Sequence, residues 1–126
     1  EVKIGIVPAC ISPYVIKRVG EYGAKELMLT GKRIKGPEAE HFRLVNKSLS
    51  DIELQAYLDE LISLLKSSGP KAMTQCKTLI DQVSNKITLT EALSYTAQMI
   101  AEIRASEEGQ EGMAAFLEKR KPFWNF

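Results

Sequence analysis

Apolar residues recur every three or four positions along three long segments, and this spacing constrains the fold more than any other feature of the sequence. The three stripes are Leu54, Leu58, Leu61 and Leu65, then Met73, Cys76, Ile80 and Val83, then Leu93, Ala97, Ile100 and Ile103. Residues at this spacing share one face of an α-helix, so each segment is predicted to be an amphipathic helix. The chain after residue 50 is therefore expected to be helical.

Capping signals mark where these helices begin. Ser50 and Glu53 fit a capping box, in which the hydroxyl and the carboxylate satisfy backbone N–H groups of the first turn. Thr88 and Glu91 repeat the pattern before the third stripe. Residues 69–70, Gly-Pro, are predicted to end the first of the three helices and to start the second.

Shorter elements complete the predicted order. Helices are expected over residues 12–19, 21–29 and 36–42, with Gly20 between the first two, and over about 111–119, after a break at 107–109. Strands are expected at residues 2–7 and 44–49. Two short strands cannot build a sheet with its own core. The predicted fold class is therefore mainly α with one or two short β-strands.

Composition excludes several functions. A formal net charge of +1 over 126 residues gives no strong field for nucleic acid or an anionic membrane, and the apolar runs are too short to span a bilayer. His41 is the only histidine, which argues against a His-ligated metal site. Cys10 and Cys76 are expected to be buried free thiols of a reducing compartment, rather than a disulfide. No metal, nucleic acid or membrane partner is therefore predicted.

Three blocks of sequence resemble the enoyl-CoA hydratase/isomerase (crotonase) superfamily. They are Glu1-Val2-Lys3-Ile4-Gly5-Ile6-Val7-Pro8-Ala9, then residues 24–34, AKELMLTGKRI, and residues 111–122, EGMAAFLEKRKP. The blocks follow the order and spacing of the family. The resemblance covers essentially the whole chain but only the C-terminal half of a family member. Residues 11–15, ISPYV, resemble bacterial hydratases of branched or carboxylated acyl-CoA, such as methylglutaconyl-CoA hydratase.

The resemblance implies a fold, an assembly and a location. Residues 1–50 would be the end of the crotonase spiral core, an α/β arrangement of ββα units. Residues 51–126 would form the C-terminal helical oligomerisation region, and a homotrimer or a dimer of trimers is expected. The family and the thiols together predict a cytoplasmic protein.

The same resemblance implies a mechanism centred on Glu1. The residues alone favour a frayed terminal carboxylate at Glu1, whereas the family places there one of the two glutamates that manage water and proton in hydration. The second glutamate and the two oxyanion-hole N–H donors would belong to a missing N-terminal half. Hydration of an enoyl-CoA thioester, with no cofactor, is therefore expected of the intact enzyme and not of the chain alone.

Five further residues are matched to substrate contacts in the family. Pro8 and Ala9 correspond to the turn beside the acyl group, and Ile100 to a side chain near the acyl or CoA chain. Phe116 and Lys119 correspond to contacts with the CoA nucleotide, whereas Arg120 and Lys121 are interpreted as a solvated basic helix end. Two alternatives remain open: an enoyl-CoA isomerase fragment, for which one glutamate suffices, and a non-catalytic helical oligomerisation module.

Overall fold

The computed structural model describes residues 1–125, and α-helices make up most of this part of the chain. The helices are α1 (Ser12–Thr30), α2 (Gly36–His41), α3 (Asp51–Lys66), α4 (Pro70–Asn85), α5 (Leu89–Ala105) and α6 (Glu107–Leu117). A single turn of 3-10 helix, Val2–Ile4, precedes α1. The prediction of a mainly helical chain is therefore confirmed.

The chain divides into two compact units within α3. The N-terminal unit comprises Glu1–Tyr57 and contains the 3-10 turn, α1, α2 and the start of α3. The C-terminal unit begins at Leu58 and contains the rest of α3 together with α4, α5 and α6. Within the C-terminal unit, α5 packs against both α4 and α6, and α4 also contacts α6.

The two predicted strands are wrong for the described residues. Residues 44–49 form turns and bends, and residues 2–7 contain the 3-10 turn followed by coil. The carbonyl oxygen of Glu1 accepts hydrogen bonds from the backbone N–H groups of Ile4 (3.0 Å) and Ile6 (3.2 Å), so these polar groups are satisfied locally. A strand needs a neighbouring strand to pair with, and none is present in residues 1–125.

Local signals position the helices of the N-terminal unit. Gly20 has φ 72° and ψ 171°, which interrupts α1 where the sequence predicts a break. Gly31, at φ 55°, ends α1 in the left-handed conformation. The ammonium of Lys32 then bridges Glu26 of α1 (2.8 Å) and Glu38 of α2 (3.0 Å). This bridge ties the end of α1 to α2.

Both predicted capping boxes form. The Thr88 hydroxyl accepts the N–H of Glu91 at 3.3 Å, and the Glu91 carboxylate accepts the N–H of Thr88 at 2.8 Å. Ser50 and Glu53 make the same reciprocal pair at 3.4 and 3.1 Å. The starts of α3 and α5 are therefore fixed by local hydrogen bonds that the sequence encodes directly.

The predicted break at residues 107–109 is displaced in the structure. Ser106 is the N-cap of α6, since its hydroxyl accepts the N–H of Gly109 at 3.1 Å. The helix consequently begins at Glu107 rather than near residue 111. A side chain at Gly109 would meet the carbonyl oxygen of Ile103, so this tight junction between α5 and α6 needs a glycine.

Few apolar side chains are buried within residues 1–125. The buried apolar residues there are Ala24, Ala92 and Ala115. The predicted stripes stay solvent-exposed: Leu54 by 42% and Leu93 by 69%. Cys10 and Cys76 are free, as expected, but both are exposed rather than buried, because Cys76 lies on an uncovered stripe and Cys10 in the turn before α1. Among the described helices, none has the length and apolar character of a membrane span.

Candidate functional site

Glu1 and Pro8 line one cavity of the N-terminal unit. The cavity has a volume of about 340 Å³. Its walls are formed by Glu1, Val2, Pro8, Ile11, Val15, Leu27, Met28, Gly31, Lys32, Ile34 and Leu44. Most of these side chains are apolar, and Glu1 and Lys32 carry the charges. The structure thus brings two of the predicted site residues together against an apolar wall.

The two charged groups of this cavity differ in their environment. The Lys32 ammonium donates hydrogen bonds to Glu26 and to Glu38, and these bonds, the one to Glu26 first, raise its pKa. Its charge is therefore already paired with two carboxylates. No hydrogen bond or ion pair of the Glu1 carboxylate is formed within residues 1–125. The Glu1 carboxylate is therefore available to a molecule that enters the cavity.

The turn that carries Pro8 and Ala9 is held by the start of α1. The carbonyl oxygen of Pro8 accepts the N–H of Ser12 at 3.0 Å, and the carbonyl oxygen of Ala9 accepts the Ser12 hydroxyl at 3.0 Å. Ala9 itself is exposed and does not line the cavity.

The Glu1 carboxylate lies at an apolar cavity, where it could accept or donate a proton, and this arrangement is suited to general acid–base chemistry.

Phe116 and Lys119 lie together at the end of α6. The N–H of Lys119 donates to the carbonyl oxygen of Phe116 at 3.3 Å. Phe116 is 82% exposed, and Lys119 is exposed as well. An exposed aromatic ring can stack on a planar ring, and an exposed ammonium can pair with a phosphate.

Arg120, interpreted from the sequence as a solvated basic residue, is engaged by two carboxylates. Its guanidinium donates to both carboxylate oxygens of Glu111, at 2.6 and 2.7 Å, and to Glu118 at 2.6 Å. The guanidinium lowers the pKa of the Glu111 carboxyl, and the two carboxylates raise the pKa of Arg120. Arg120 is exposed, as interpreted from the sequence, but its guanidinium is paired with carboxylates rather than free.

Ile100 lies in a separate apolar depression of the C-terminal unit. This depression, of about 360 Å³, is formed by residues of α4 and α5. They are Leu79, Thr96, Ala97, Met99, Ile100 and Ile103. Ile100 is still 56% exposed. Phe116 and Lys119 are not among its lining residues, so the structure does not join the three predicted contacts of this unit in one cavity.

Another cavity of the C-terminal unit contains a residue that sequence reasoning missed. This cavity, of about 500 Å³, is lined by Glu108, Trp124 and residues from α4, α5 and α6. Glu108 is only 7% exposed, and its carboxylate accepts the N–H groups of Lys71 at 3.0 Å and Ala72 at 2.7 Å. The sequence signal that could have revealed Glu108 is Gly69, the N-cap residue of α4. A glycine has no side chain to accept the first N–H groups of the helix, so these donors need an acceptor from elsewhere in the chain.

Comparison with known proteins gives a consistent family. The sequence pattern of the family described as Enoyl-CoA hydratase/isomerase matches residues 1–126. The chain is 30% identical over 126 residues to the probable mitochondrial enoyl-CoA hydratase of Dictyostelium discoideum, covering 99% of the chain and 45% of that protein. It is 32% identical over 124 residues to the 2,3-dehydroadipyl-CoA hydratase of Escherichia coli, covering 97% of the chain and 48% of that protein.

Solved structures show the same fold. Pseudomonas aeruginosa AtuE superposes with a TM-score of 0.88 at 34% identity, over 100% of this chain and 49% of that one. A putative enoyl-CoA hydratase/isomerase (crotonase) from Legionella pneumophila superposes with a TM-score of 0.81 at 39% identity, over 99% and 48%. The chain therefore spans about half the length of the relatives it matches, and the expected crotonase-type fold is confirmed over that half.

Proposed function

Because this chain belongs to the enoyl-CoA hydratase/isomerase family, we propose that it is the C-terminal half of an enoyl-CoA hydratase. The reaction would add water across the double bond of an enoyl-CoA thioester. The observation that carries the proposal is the family match along the entire chain. The apolar cavity lined by Glu1 and Pro8 adds chemical support, since it offers a carboxylate beside a wall that an acyl chain can contact.

In this proposal, Glu1 is the acid or base that moves a proton at the double bond. Pro8 and Ala9 shape the turn beside the acyl group. The oxyanion-hole donors and the second glutamate come from the half of the family's length that this chain does not span. Backbone donors aimed at the thioester oxygen usually contribute the largest part of such catalysis. The 126-residue chain alone is therefore expected to be inactive, and no cofactor is required.

Binding of the CoA portion is proposed for the C-terminal unit. Phe116 and Lys119 would contact the nucleotide, and Ile100 the acyl or pantetheine chain. The exposure of Phe116 and the proximity of Lys119 support the first assignment. Substrates with a branched or carboxylated acyl group are proposed from the ISPYV segment at residues 11–15. The protein is proposed to act in the cytoplasm.

Helical oligomerisation is the second candidate function, and the exposed stripes favour it. Leu58 and Leu61 of α3 are each 39% exposed, and Leu93 of α5 is 69% exposed. Exposed apolar residues that share one face of a helix are typical of protein contacts. A homotrimer or dimer of trimers would bury it. A chain that forms a defined oligomer but contributes nothing to hydration would favour this candidate over catalysis.

The test joins this chain to the N-terminal half of the Legionella pneumophila relative, chosen for its 39% identity. The chimera, the chain alone, and chimeras carrying Glu1→Gln or Glu21→Gln would be incubated with an enoyl-CoA. Glu21 is the matched control, because it is an exposed carboxylate of the same unit, paired with Lys25 at 2.7 Å. Folding of each sample would be checked by circular dichroism and gel filtration.

We expect hydration only from the chimera, with Glu1→Gln lowering the rate at least about 100-fold and Glu21→Gln leaving it unchanged. Mass spectrometry separates the two enzymatic alternatives, since hydration adds the mass of water and isomerisation leaves the mass unchanged. A folded Glu1→Gln chimera that hydrates as fast as its parent would remove Glu1 from the mechanism. An isomerised product would replace hydratase by isomerase.

A further inference from the structure

The turn after α6 places a lysine where helices usually place a glycine. The N–H of Arg120 donates to the carbonyl oxygen of Ala115 at 3.0 Å, and that of Lys119 to Phe116 at 3.3 Å. These two bonds define a Schellman motif with Lys119 at its left-handed position, at φ 54°. Residues with a Cβ are disfavoured there, and such outliers are concentrated at functional sites.

The guanidinium of Arg120 holds this turn through Glu111 and Glu118, and these three residues are called the clamp below. The guanidinium reaches back to Glu111 in the middle of α6 with two parallel hydrogen bonds, and to Glu118 with a third. Glu118 and Arg120 flank Lys119 directly in the chain. Glu111 also accepts the N–H of Phe123 at 3.1 Å, so the segment leaving the turn is fixed to the same carboxylate. Bidentate pairs of this kind fix orientation as well as adding attraction.

The clamp also affects which side chain pairs with the two carboxylates, Arg120 or Lys119. Glu111, in the middle of α6, and Glu118, directly after its end, are both paired with Arg120. Within residues 1–125, the Lys119 ammonium makes no ion pair. Without Arg120, either carboxylate could pair with Lys119 instead. Within the described residues, the Lys119 ammonium is therefore unpaired, three positions after the exposed ring of Phe116.

We propose that Arg120 is a positioning residue for ligand binding: with Glu111 and Glu118 it holds Lys119 in the left-handed turn and keeps its ammonium free for a nucleotide phosphate. Phe116, three residues earlier, offers its ring to the base of the same nucleotide. The inference rests on the proposed function and deepens its CoA contact. Arg120 does not touch the ligand in this proposal.

The kinetic test uses the chimera described above with two substrates, an enoyl-CoA and the corresponding enoyl-pantetheine thioester, which lacks the nucleotide. Arg120→Ala is expected to raise KM for the enoyl-CoA about tenfold, which corresponds to about 1.4 kcal/mol, with kcat unchanged. KM for the pantetheine thioester should not change. Lys121→Ala is the matched control, a neighbouring basic residue outside the clamp. A loss of kcat, or an equal effect on both substrates, would overturn the inference.

Lys119→Gly separates strain from contact. Glycine relieves the left-handed turn, so this variant should unfold at a higher denaturant concentration while losing the same tenfold in KM. Adding Arg120→Ala to Lys119→Gly should then raise KM no further, because the two residues act through one ammonium. Additive losses in the double variant would show that Arg120 acts independently of Lys119 and would overturn the inference.

Two measurements decide the inference without activity. Titration of the full chain with adenosine 3′,5′-bisphosphate should show binding that both Lys119→Gly and Arg120→Ala reduce about tenfold. Hydrogen exchange at the amides of Lys119 and Arg120 should accelerate in Arg120→Ala and stay unchanged in Lys121→Ala. Absence of nucleotide binding by the unaltered chain, or equal binding by Arg120→Ala, overturns the positioning role. Inactivity of the chimera with both thioesters counts against the proposed function alone.

Discussion

Glu108 is predicted to hold α4 and α6 together by capping a helix to which it does not belong. Helix α4 starts after Gly69, which has no side chain to offer, and Pro70 has no N–H. The first free donors are the N–H groups of Lys71 and Ala72, and the Glu108 carboxylate accepts both, at 3.0 and 2.7 Å. A carboxylate there also complements the positive end of the helix dipole. Replacing Glu108 by alanine should therefore destabilise the C-terminal unit.

The magnitude follows from these two bonds. Hydrogen bonds to a charged group contribute roughly 1.5–3 kcal/mol each, so the sum would be about 3–6 kcal/mol if nothing replaced them. The carboxylate borders a cavity of about 500 Å³, where water can bind the released N–H groups and recover part of the loss. We expect Glu108→Ala to lower the free energy of unfolding by roughly 2–4 kcal/mol. Glu108→Gln keeps an acceptor and should lose roughly half of that.

Urea unfolding measures the change, and the neighbouring Glu107→Ala is the matched control. Glu107 shares the first turn of α6 but is exposed, so its removal should cost less than about 1 kcal/mol. Hydrogen exchange adds a site-specific reading, since the amides of Lys71 and Ala72 should exchange faster in Glu108→Ala alone. Equal destabilisation by Glu107→Ala and Glu108→Ala, with unchanged exchange at Lys71 and Ala72, would refute the capping role.

Three further predictions concern stability. Thr88→Ala should cost about 1 kcal/mol in urea unfolding by removing the α5 cap, whereas the exposed Thr90→Ala should cost little. Gly109→Ala should destabilise by about 1–3 kcal/mol despite the helix preference of alanine, because its Cβ would meet the Ile103 carbonyl; a stabilised variant would contradict that geometry. Hydrogen bonds from the backbone and hydroxyl of Thr88 lower the pKa of Glu91 below its ordinary 4.5, so this stabilisation is present above pH 4.5 and is lost as the pH falls through the lower, folded-state pKa. Urea midpoints of Glu91→Gln should therefore fall less steeply below pH 4.5 than those of the unaltered chain, and parallel curves would exclude this linkage.

The helical part of the fold could be predicted because its signals are local. The capping boxes at residues 50–53 and 88–91 involve partners three positions apart, and both form. Gly20 interrupts α1 for a similarly local reason. The strands at 2–7 and 44–49 could not be judged in this way, since a strand depends on a distant partner and none lies within residues 1–125. The prediction that Cys76 is buried was wrong for the same reason, because no other element within residues 1–125 packs over its stripe and Cys76 is exposed.

The candidate site was predicted in part, and the missing parts are non-local. Glu1 and Pro8 do share a cavity. Glu108, however, accepts the N–H groups of Lys71 and Ala72, which lie 37 and 36 positions earlier in the chain, and no spacing rule reveals such a distant pair. The basic run at residues 119–121 is interpreted from the sequence as a solvated helix end, because basic residues at a helix C-terminus are usually solvated and complement the helix dipole. Only the turn itself shows that Arg120 folds back onto Glu111.

Lys119 shows why a departure from local preference is informative. A Schellman motif normally predicts glycine at the left-handed position, so the sequence offers no sign that the turn forms here. The structure forms it with lysine, at φ 54°, and guanidinium hydrogen bonds from Arg120 to Glu118 and Glu111 hold the residues on either side of Lys119. A glycine would relieve the strain but would carry no ammonium. The left-handed lysine therefore supports the proposal that its charge is needed, because the residue proposed to contact a phosphate is one at which local preference is overridden.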